Sequence, residues 1–230
     1  MRYAWFFMPS SDSALWQFGS AVLGYDAVTG DERDVPLRLR EAVGADVMTD
    51  LTATPRTYGF HATLRAPFEP AAGVGETEVR DALAAFCARQ PPVMLNGLHV
   101  HTLGAFIALT PLASSPALDA LAADAVRASD ALRAPLKPQD RARRMKAPLT
   151  PQQIAHLDRW GYPYVMDDFR FHMTLTGAIA NDEQRGQVAR ALTTAFAPLE
   201  GPCAIDGIGL YAQADRASRF RVVERYALTG

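Results

Sequence analysis

Cysteine is nearly missing from this chain. Cys87 and Cys203 are the only two in 230 residues. Neither stands in a Cys-x-x-Cys or Cys/His spacing, which argues against a disulfide framework and against a zinc site of the usual ligand pattern. Two thiols in a chain of this size fit a reducing compartment, each as a small core residue. An excess of one charge is also lacking: 23 Lys and Arg face 25 Asp and Glu, a net charge of −2. No overall field therefore draws in nucleic acid or an anionic membrane, and any anionic ligand must be held by a local cluster. Long hydrophobic runs are absent as well. The apolar stretch Tyr3–Met8 is too short for a signal-peptide core and stops at Pro9. Nothing approaches the roughly 20 apolar residues of a membrane helix. These absences predict a cytoplasmic protein that partners neither membrane nor DNA.

What is present is an ordinary globular composition, 49% hydrophobic and 21% charged. Aromatic Arg2–Met8 predicts a first strand. Ser11–Leu23 predicts a helix, with Ser10, Ser11 or Asp12 as its cap. Asp26–Pro36 reads as loop and Leu37–Asp50 as a poorly marked helix. Tyr58–Phe68 reads as a strand, Glu76–Arg89 as a helix, Val93–His101 and Ala105–Leu112 as a hairpin turning near Gly104, and Pro116–Leu132 as a helix. Proline and positive charge interrupt the pattern from Pro135 to Pro148. Thr150–Trp160 (helix), Phe169–Ile179 (strand), Asp182–Phe196 (helix), Ala204–Tyr211 (strand) and Phe220–Leu228 (strand) follow.

Two stretches of this order echo each other. FHATL (Phe60–Leu64) returns as FHMTL (Phe171–Leu175), each opening strand, helix, strand, strand. Asn96-Gly97-Leu98 and Asp206-Gly207-Ile208 then recur at nearly the same offset from each histidine. The spacing predicts an internal duplication. The expected architecture is α+β: a single bilobal domain, residues 1–230, with two antiparallel sheets and outer helices around a central cleft. The repeats are placed at about 55–134 and 150–230. A basic segment at about 135–149 connects them, and the strand and helix within 2–24 join the lobes.

Along a strand, alternate side chains share a face. One face of the first copy carries Gly59, His61, Thr63 and Arg65, and the other carries Phe60, Ala62, Leu64 and Ala66. In the second copy Arg170, His172, Thr174 and Thr176 oppose Phe171, Met173, Leu175 and Gly177. A single such polar face reads most simply as solvated sheet. Two, related by a pseudo-two-fold axis, are expected to oppose each other across a cleft. Histidine titrates near 6.5, so one ring can be neutral and the other protonated near neutrality. A neutral ring takes a proton from the attacking water, and a protonated ring gives one to the leaving oxygen. That suits in-line displacement at phosphorus. Threonine hydroxyls suit the non-bridging oxygens, and Arg65 or Arg170 their charge. The scheme needs no metal and no cofactor.

At His61-Ala62-Thr63 and His172-Met173-Thr174 the chain resembles the 2H phosphoesterase superfamily, marked by one H-x-T motif in each of two duplicated lobes. The flanks TYGFHATLRAPF and WGYPYVMDDFRFHMTLTG are similar to the branch found with bacterial phosphonate-utilisation operons. The resemblance runs from Tyr3 to Tyr226. It implies a bilobal α+β fold and metal-independent action on phosphodiesters, often 2′,3′-cyclic ones; for the phosphonate branch it implies a ribosyl cyclic phosphate. It assigns catalysis to His61 and His172 and phosphate contact to Thr63 and Thr174.

Other residues carry smaller signals. Arg133, Lys137, Arg141, Arg143, Arg144 and Lys146 form a basic run relieved by Asp140. Such a run is usually a solvated loop; lying before the second motif, it is also placed to close over a phosphate, with Arg143 and Arg144 as candidates. Of Tyr58, Tyr162 and Tyr164, the last is the candidate for substrate contact and the others read as packing. His99 and His101 have a spacing that can bind metal, but no third ligand accompanies them. His156 reads as a helix-surface residue. The leading expectation is thus a phosphodiesterase acting on a small phosphodiester or nucleotide-like substrate, with no obligate protein partner evident. A non-catalytic module holding a nucleotide or an RNA end, and a metal hydrolase using His99 and His101, are the rivals.

Overall fold

The computed structural model describes all 230 residues. It is an α+β fold with a seven-stranded antiparallel sheet, a two-stranded sheet and helices packed outside. The chain opens with β1 (Arg2–Phe7), α1 (Ala14–Leu23), α2 (Leu37–Ala42), α3 (Ala45–Arg56), β2 (Ala62–Phe68), α4 (Glu76–Cys87), β3 (Val93–Leu95) and β4 (Leu98–Leu103). It continues with β5 (Phe106–Pro111), α5 (Pro116–Ala128), α6 (Pro138–Arg144), α7 (Pro151–Trp160), β6 (Met173–Thr174), α8 (Asp182–Phe196), β7 (Cys203–Ile205), β8 (Gly207–Gln213) and β9 (Arg221–Ala227). No helix is long and apolar enough to cross a membrane.

The unalternating run of β1 has a plain cause. The strand pairs with β2 on one side and β8 on the other, and Tyr3 to Met8 are all buried. A strand covered on both faces reads as continuous apolar sequence. Burying Trp5, Phe6 and Phe7 contributes about 1.5–3 kcal/mol each, so the middle of the sheet is anchored here.

The large sheet has the order β4-β5-β6-β2-β1-β8-β9. Outward from the β6–β2 contact it runs β6, β5, β4 one way and β2, β1, β8 the other. Three helices lie between β1 and β2, and three between β5 and β6. The repeating unit in the element order therefore runs from β1 to β4 and again from β5 to β8, with β9 added at the edge. These bounds differ from 55–134 and 150–230, because the H-x-T motifs mark only the middle of each unit. The strand and helix in 2–24 then open the first unit, and the segment 135–149 lies inside the helical crossover of the second. The units also exchange strands: β4 pairs with β5, and β8 with β1. β3 and β7 pair with each other.

Several local expectations are corrected. Ser13 caps α1, its hydroxyl accepting from Trp16 N at 3.1 Å. The weak helix at 37–50 is two helices broken at Gly44, whose φ of 98° no other residue type adopts easily. The second of them, α3, runs past Asp50 to Arg56 with Pro55 inside its last turn. The strand expected over Val93–His101 breaks at Gly97, and that over Ala204–Tyr211 breaks between Ile205 and Gly207. The proline-rich basic segment holds helix α6. The strand expected over Phe169–Ile179 shrinks to two residues, because Leu175 N and Thr176 N both donate to Ile107 O and Gly177 N turns away to Leu51 O. The helix expected over Thr150–Trp160 is present as α7, capped by Thr150 with Gln153 and with Pro151 in its first turn.

Candidate active site

Strands β2 and β6 meet through the antiparallel pair Ala62–Met173. One step to either side, that register sets His61 opposite Thr174 and Thr63 opposite His172. Ala62 and Met173 point into the core, so the four polar side chains share the other face. The histidines are diagonal neighbours, with Cβ atoms about 7–8 Å apart. The expected juxtaposition of both motifs is present, but its geometry differs from two faces opposed across a gap: the motifs lie side by side on adjoining strands of one sheet.

Each ring is fixed in the same way. His61 Nδ1 donates to Gly59 O at 2.8 Å and His172 Nδ1 donates to Arg170 O at 2.7 Å, the carbonyl two residues back in both cases. That tautomer leaves Nε2 as the unprotonated, basic atom. The Gly59 carbonyl is aimed by a left-handed turn, φ 74°, and a Cβ there would lie 2.7 Å from Ala27 Cβ. Thr63 Oγ1 lies 3.2 Å from His61 Nε2 and donates to it. His61 stacks on Phe6, centroids 3.8 Å apart, with Tyr58 and Tyr211 close by. Burial lowers its pKa to about 4; the Gly59 hydrogen bond opposes this and charge on His172 adds to it. Burial also lowers the pKa of His172, against its hydrogen bond to Arg170 O.

A cavity of about 580 Å³ opens over His61, Thr63 and Thr174. Arg2, Arg143, Arg144 and Arg216 line it and no carboxylate does, so its character is anion-binding. A second, mostly apolar cavity of about 490 Å³ holds His172, Arg170 and Tyr164. Thr63, Phe106 and Tyr162 line both, so the two adjoin.

The remaining candidates scatter. Arg65 is 1% exposed. It donates to Trp160 O at 2.9 Å and lines a smaller cavity beside the histidine cleft instead of the cleft itself. The cause is local: two register shifts against β1 disturb the alternation of β2. Arg170 is exposed and donates to Asp167 O and Phe169 O. Arg144 lies over the Tyr162 ring at 4.7 Å. Tyr164 is 42% exposed and meets Tyr162 edge-on. Arg141 is paired with Asp158, away from the cleft. His156 is partly buried, 3.1 Å from Asp168, and is not a free surface residue. His99 and His101 sit edge to face on β4 and line neither cavity; no group of three or more His, Cys, Asp or Glu has metal-holding geometry.

Sequence reasoning missed Arg2, Phe6 and Arg216. The first two share a face of β1, which pairing with β2 brings beside His61. Tyr162, read as packing, lines both cavities.

Comparison with known proteins bears on the whole chain. It is 35% identical over 235 residues to the ribose 1,5-bisphosphate phosphokinase PhnN of Janthinobacterium sp. (strain Marseille), covering 100% of this chain and 51% of that one. It is 34% identical over 222 residues to the protein of the same name from Laribacter hongkongensis (strain HLHK9), covering 96% and 50%. The chain thus spans about half the length of these curated relatives. Among solved structures it is distantly similar to a phosphoesterase (14% identity, TM-score 0.42, covering 100% of this chain and 98% of that one). TT0787 of Thermus thermophilus gives 14%, 0.42, 100% and 99%. LigT of E. coli complexed with NADP+ gives 16%, 0.42, 100% and 98%. Residues 63–221 match the model of a family described as protein of unknown function (DUF1045), and the chain belongs to that family.

Proposed function

We propose that this protein is a metal-independent phosphodiesterase of the 2H type that opens a small cyclic phosphodiester, 2′,3′-cyclic or ribosyl cyclic. The observation that carries the reading is the Ala62–Met173 register, which sets each histidine of one motif against the threonine of the other.

His61, held neutral by burial, is the general base. Its Nε2 takes a proton from water as the water oxygen bonds to phosphorus. The bond from phosphorus to the leaving ester oxygen breaks, and His172 Nε2–H protonates that oxygen. The product is a phosphate monoester with a free hydroxyl on the same molecule. Such positioned acid–base catalysis is typically worth about 10²–10⁴-fold. As the phosphate enters, the Thr63 hydroxyl turns from His61 to a non-bridging oxygen, joined by Thr174, and the cleft arginines balance the charge. No step requires a metal, because the two imidazoles supply both proton transfers.

The relatives' name points to phosphorylated ribose, which favours a ribosyl substrate. Kinase chemistry is not carried over: the only lysines, Lys137 and Lys146, follow leucine and methionine, so the chain holds no Gly-Lys phosphate-binding loop. A screen of cyclic phosphodiesters followed by phosphorus NMR with EDTA present tests the reaction. The expected result is conversion of at least one cyclic diester to its monoester, undiminished by the chelator. Tight binding of these compounds without turnover by the native protein would identify a binding module instead.

A further inference from the structure

Beside the histidine cleft lies a small cavity of about 50 Å³, room for a few waters and of the size class of one tetrahedral oxyanion. Seven basic residues line it, among them Arg2, Arg65, Arg133, Arg144 and Arg216, against two carboxylates, Glu69 and Asp140. Those carboxylates are already engaged. Glu69 pairs with Lys137 at 2.5 Å, and Asp140 pairs with Arg143 at 3.0 Å and Arg216 at 2.8 Å. Arg133 pairs with Asp130 at 2.8 Å.

Arg2, Arg65 and Arg144 have no acidic partner. Arg2 donates to the neutral amide of Gln213. Arg65 is 1% exposed, lies over the Phe68 ring and makes its one side-chain hydrogen bond to the Trp160 carbonyl, and its buried Nε has no hydrogen-bond partner. Arg144 Nε is also buried without a partner, while its guanidinium lies over Tyr162. Buried donors of a cation are costly to leave unmatched, and two guanidiniums with an unpaired buried Nε, beside a third that has no acidic partner, line one small space suited to an oxyanion.

Arg2, Arg143, Arg144, Tyr162 and Arg216 line this cavity and the histidine cleft alike. Arg65 follows Thr63 by two residues on β2, about 7 Å along the strand. An anion held here sits roughly one sugar ring from a phosphate held at Thr63.

We propose that the substrate carries a second phosphate, beyond the diester that is opened, and that Arg65, Arg144 and Arg2 hold it in this cavity. This rests on the phosphodiesterase reading and narrows its substrate class to phosphorylated cyclic phosphodiesters. The arginines repel one another until the anion arrives: burial and the neighbouring Arg133 lower the pKa of Arg65 to about 10, and Arg144 is lowered by burial and Arg143.

The test compares 2′,3′-cyclic AMP with the same compound phosphorylated at the 5′ position. Binding is measured to the full-length His61→Ala protein, which does not consume the ligand, and turnover to the native protein. The phosphorylated ligand is expected to bind at least tenfold more tightly, and the preference is expected to vanish in Arg144→Gln and Arg65→Gln and to be partly kept in Arg65→Lys. Arg144 is less enclosed than Arg65, so its variant serves if loss of Arg65 impairs folding. Equal affinities, no binding of either ligand, or a preference surviving both glutamine variants overturns the proposal. Inorganic phosphate that binds without competing against the phosphorylated ligand, or binding of phosphate with no ligand preference, identifies a site for free phosphate and overturns it too. Equal binding with turnover of both compounds leaves the phosphodiesterase standing. A clear preference with no turnover of either keeps the subsite and removes the reaction.

Discussion

His61 and His172 each donate an Nδ1 proton to the carbonyl two residues back, yet their surroundings diverge. His61 stacks on Phe6 and immediately precedes a seven-residue strand, beneath an arginine-lined cavity. His172 immediately precedes a two-residue strand and lies beside Phe106, with exposed Arg170 and Tyr164 near it in a mostly apolar cavity. Two motifs that differ only at their middle residue thus produce the same hydrogen bond in different surroundings. A local motif fixes the ring's tautomer; the packing around it sets the ring's proton affinity. The two motifs supply two similarly held imidazoles, and burial lowers the pKa of both, that of His61 to about 4, so that ring stays neutral over a wider pH range.

The strongest way to break this comparison is to remove the rings one at a time. His61→Ala and His172→Ala are each expected to lower kcat by about 10²–10⁴-fold, and the double variant little further, because the two act in one step. Full activity in either single variant, on a substrate the native protein opens, ends the proposal.

A pH profile sharpens the difference. The base must be neutral and the acid protonated, so kcat/KM is expected to rise through about pH 4 with His61 and to fall as His172 loses its proton below its ordinary 6.5. The optimum therefore lies on the acidic side of neutrality, with each limb changing by at most about tenfold per pH unit. Residual rates in His61→Ala are expected to lose the acid limb, and those in His172→Ala the alkaline one. A rate that keeps climbing above pH 7 contradicts the assignment.

The smallest effects concern the carbonyls that orient the rings. Gly59→Ala forces a left-handed turn on alanine and drives its Cβ against Ala27; a loss of about 1–3 kcal/mol is expected in denaturant unfolding. Arg170→Ala keeps its backbone carbonyl and removes an exposed side chain, so a change within about 0.5 kcal/mol is expected. Equal costs at the two positions would show that the turn before His61 is not special.

Much of this was legible before any coordinates. The H-x-T echo located all four central side chains, because a strand's alternation and a repeated motif are both local properties. The central strand β1 was legible in its aromatic run. Arg65 shows where such reading stops. Alternation put it beside Thr63, but register shifts between β1 and β2 turned it to a neighbouring cavity. The repeat bounds rest on the short motifs alone, whereas the order of elements recurs from one strand earlier.

The sequence by itself determined most helices, the central strand, the paired motifs and the likeness of their flanks, since helix periodicity, strand periodicity and turn glycines act over a few residues. Only the tertiary structure decided that the motifs adjoin on one sheet, that Arg2 and Phe6 from β1 reach His61, and that three arginines from distant segments share one cavity without acidic partners. Those facts depend on which strand pairs with which and in what register. That choice is made by burial of the whole core, and no short stretch of sequence encodes it alone.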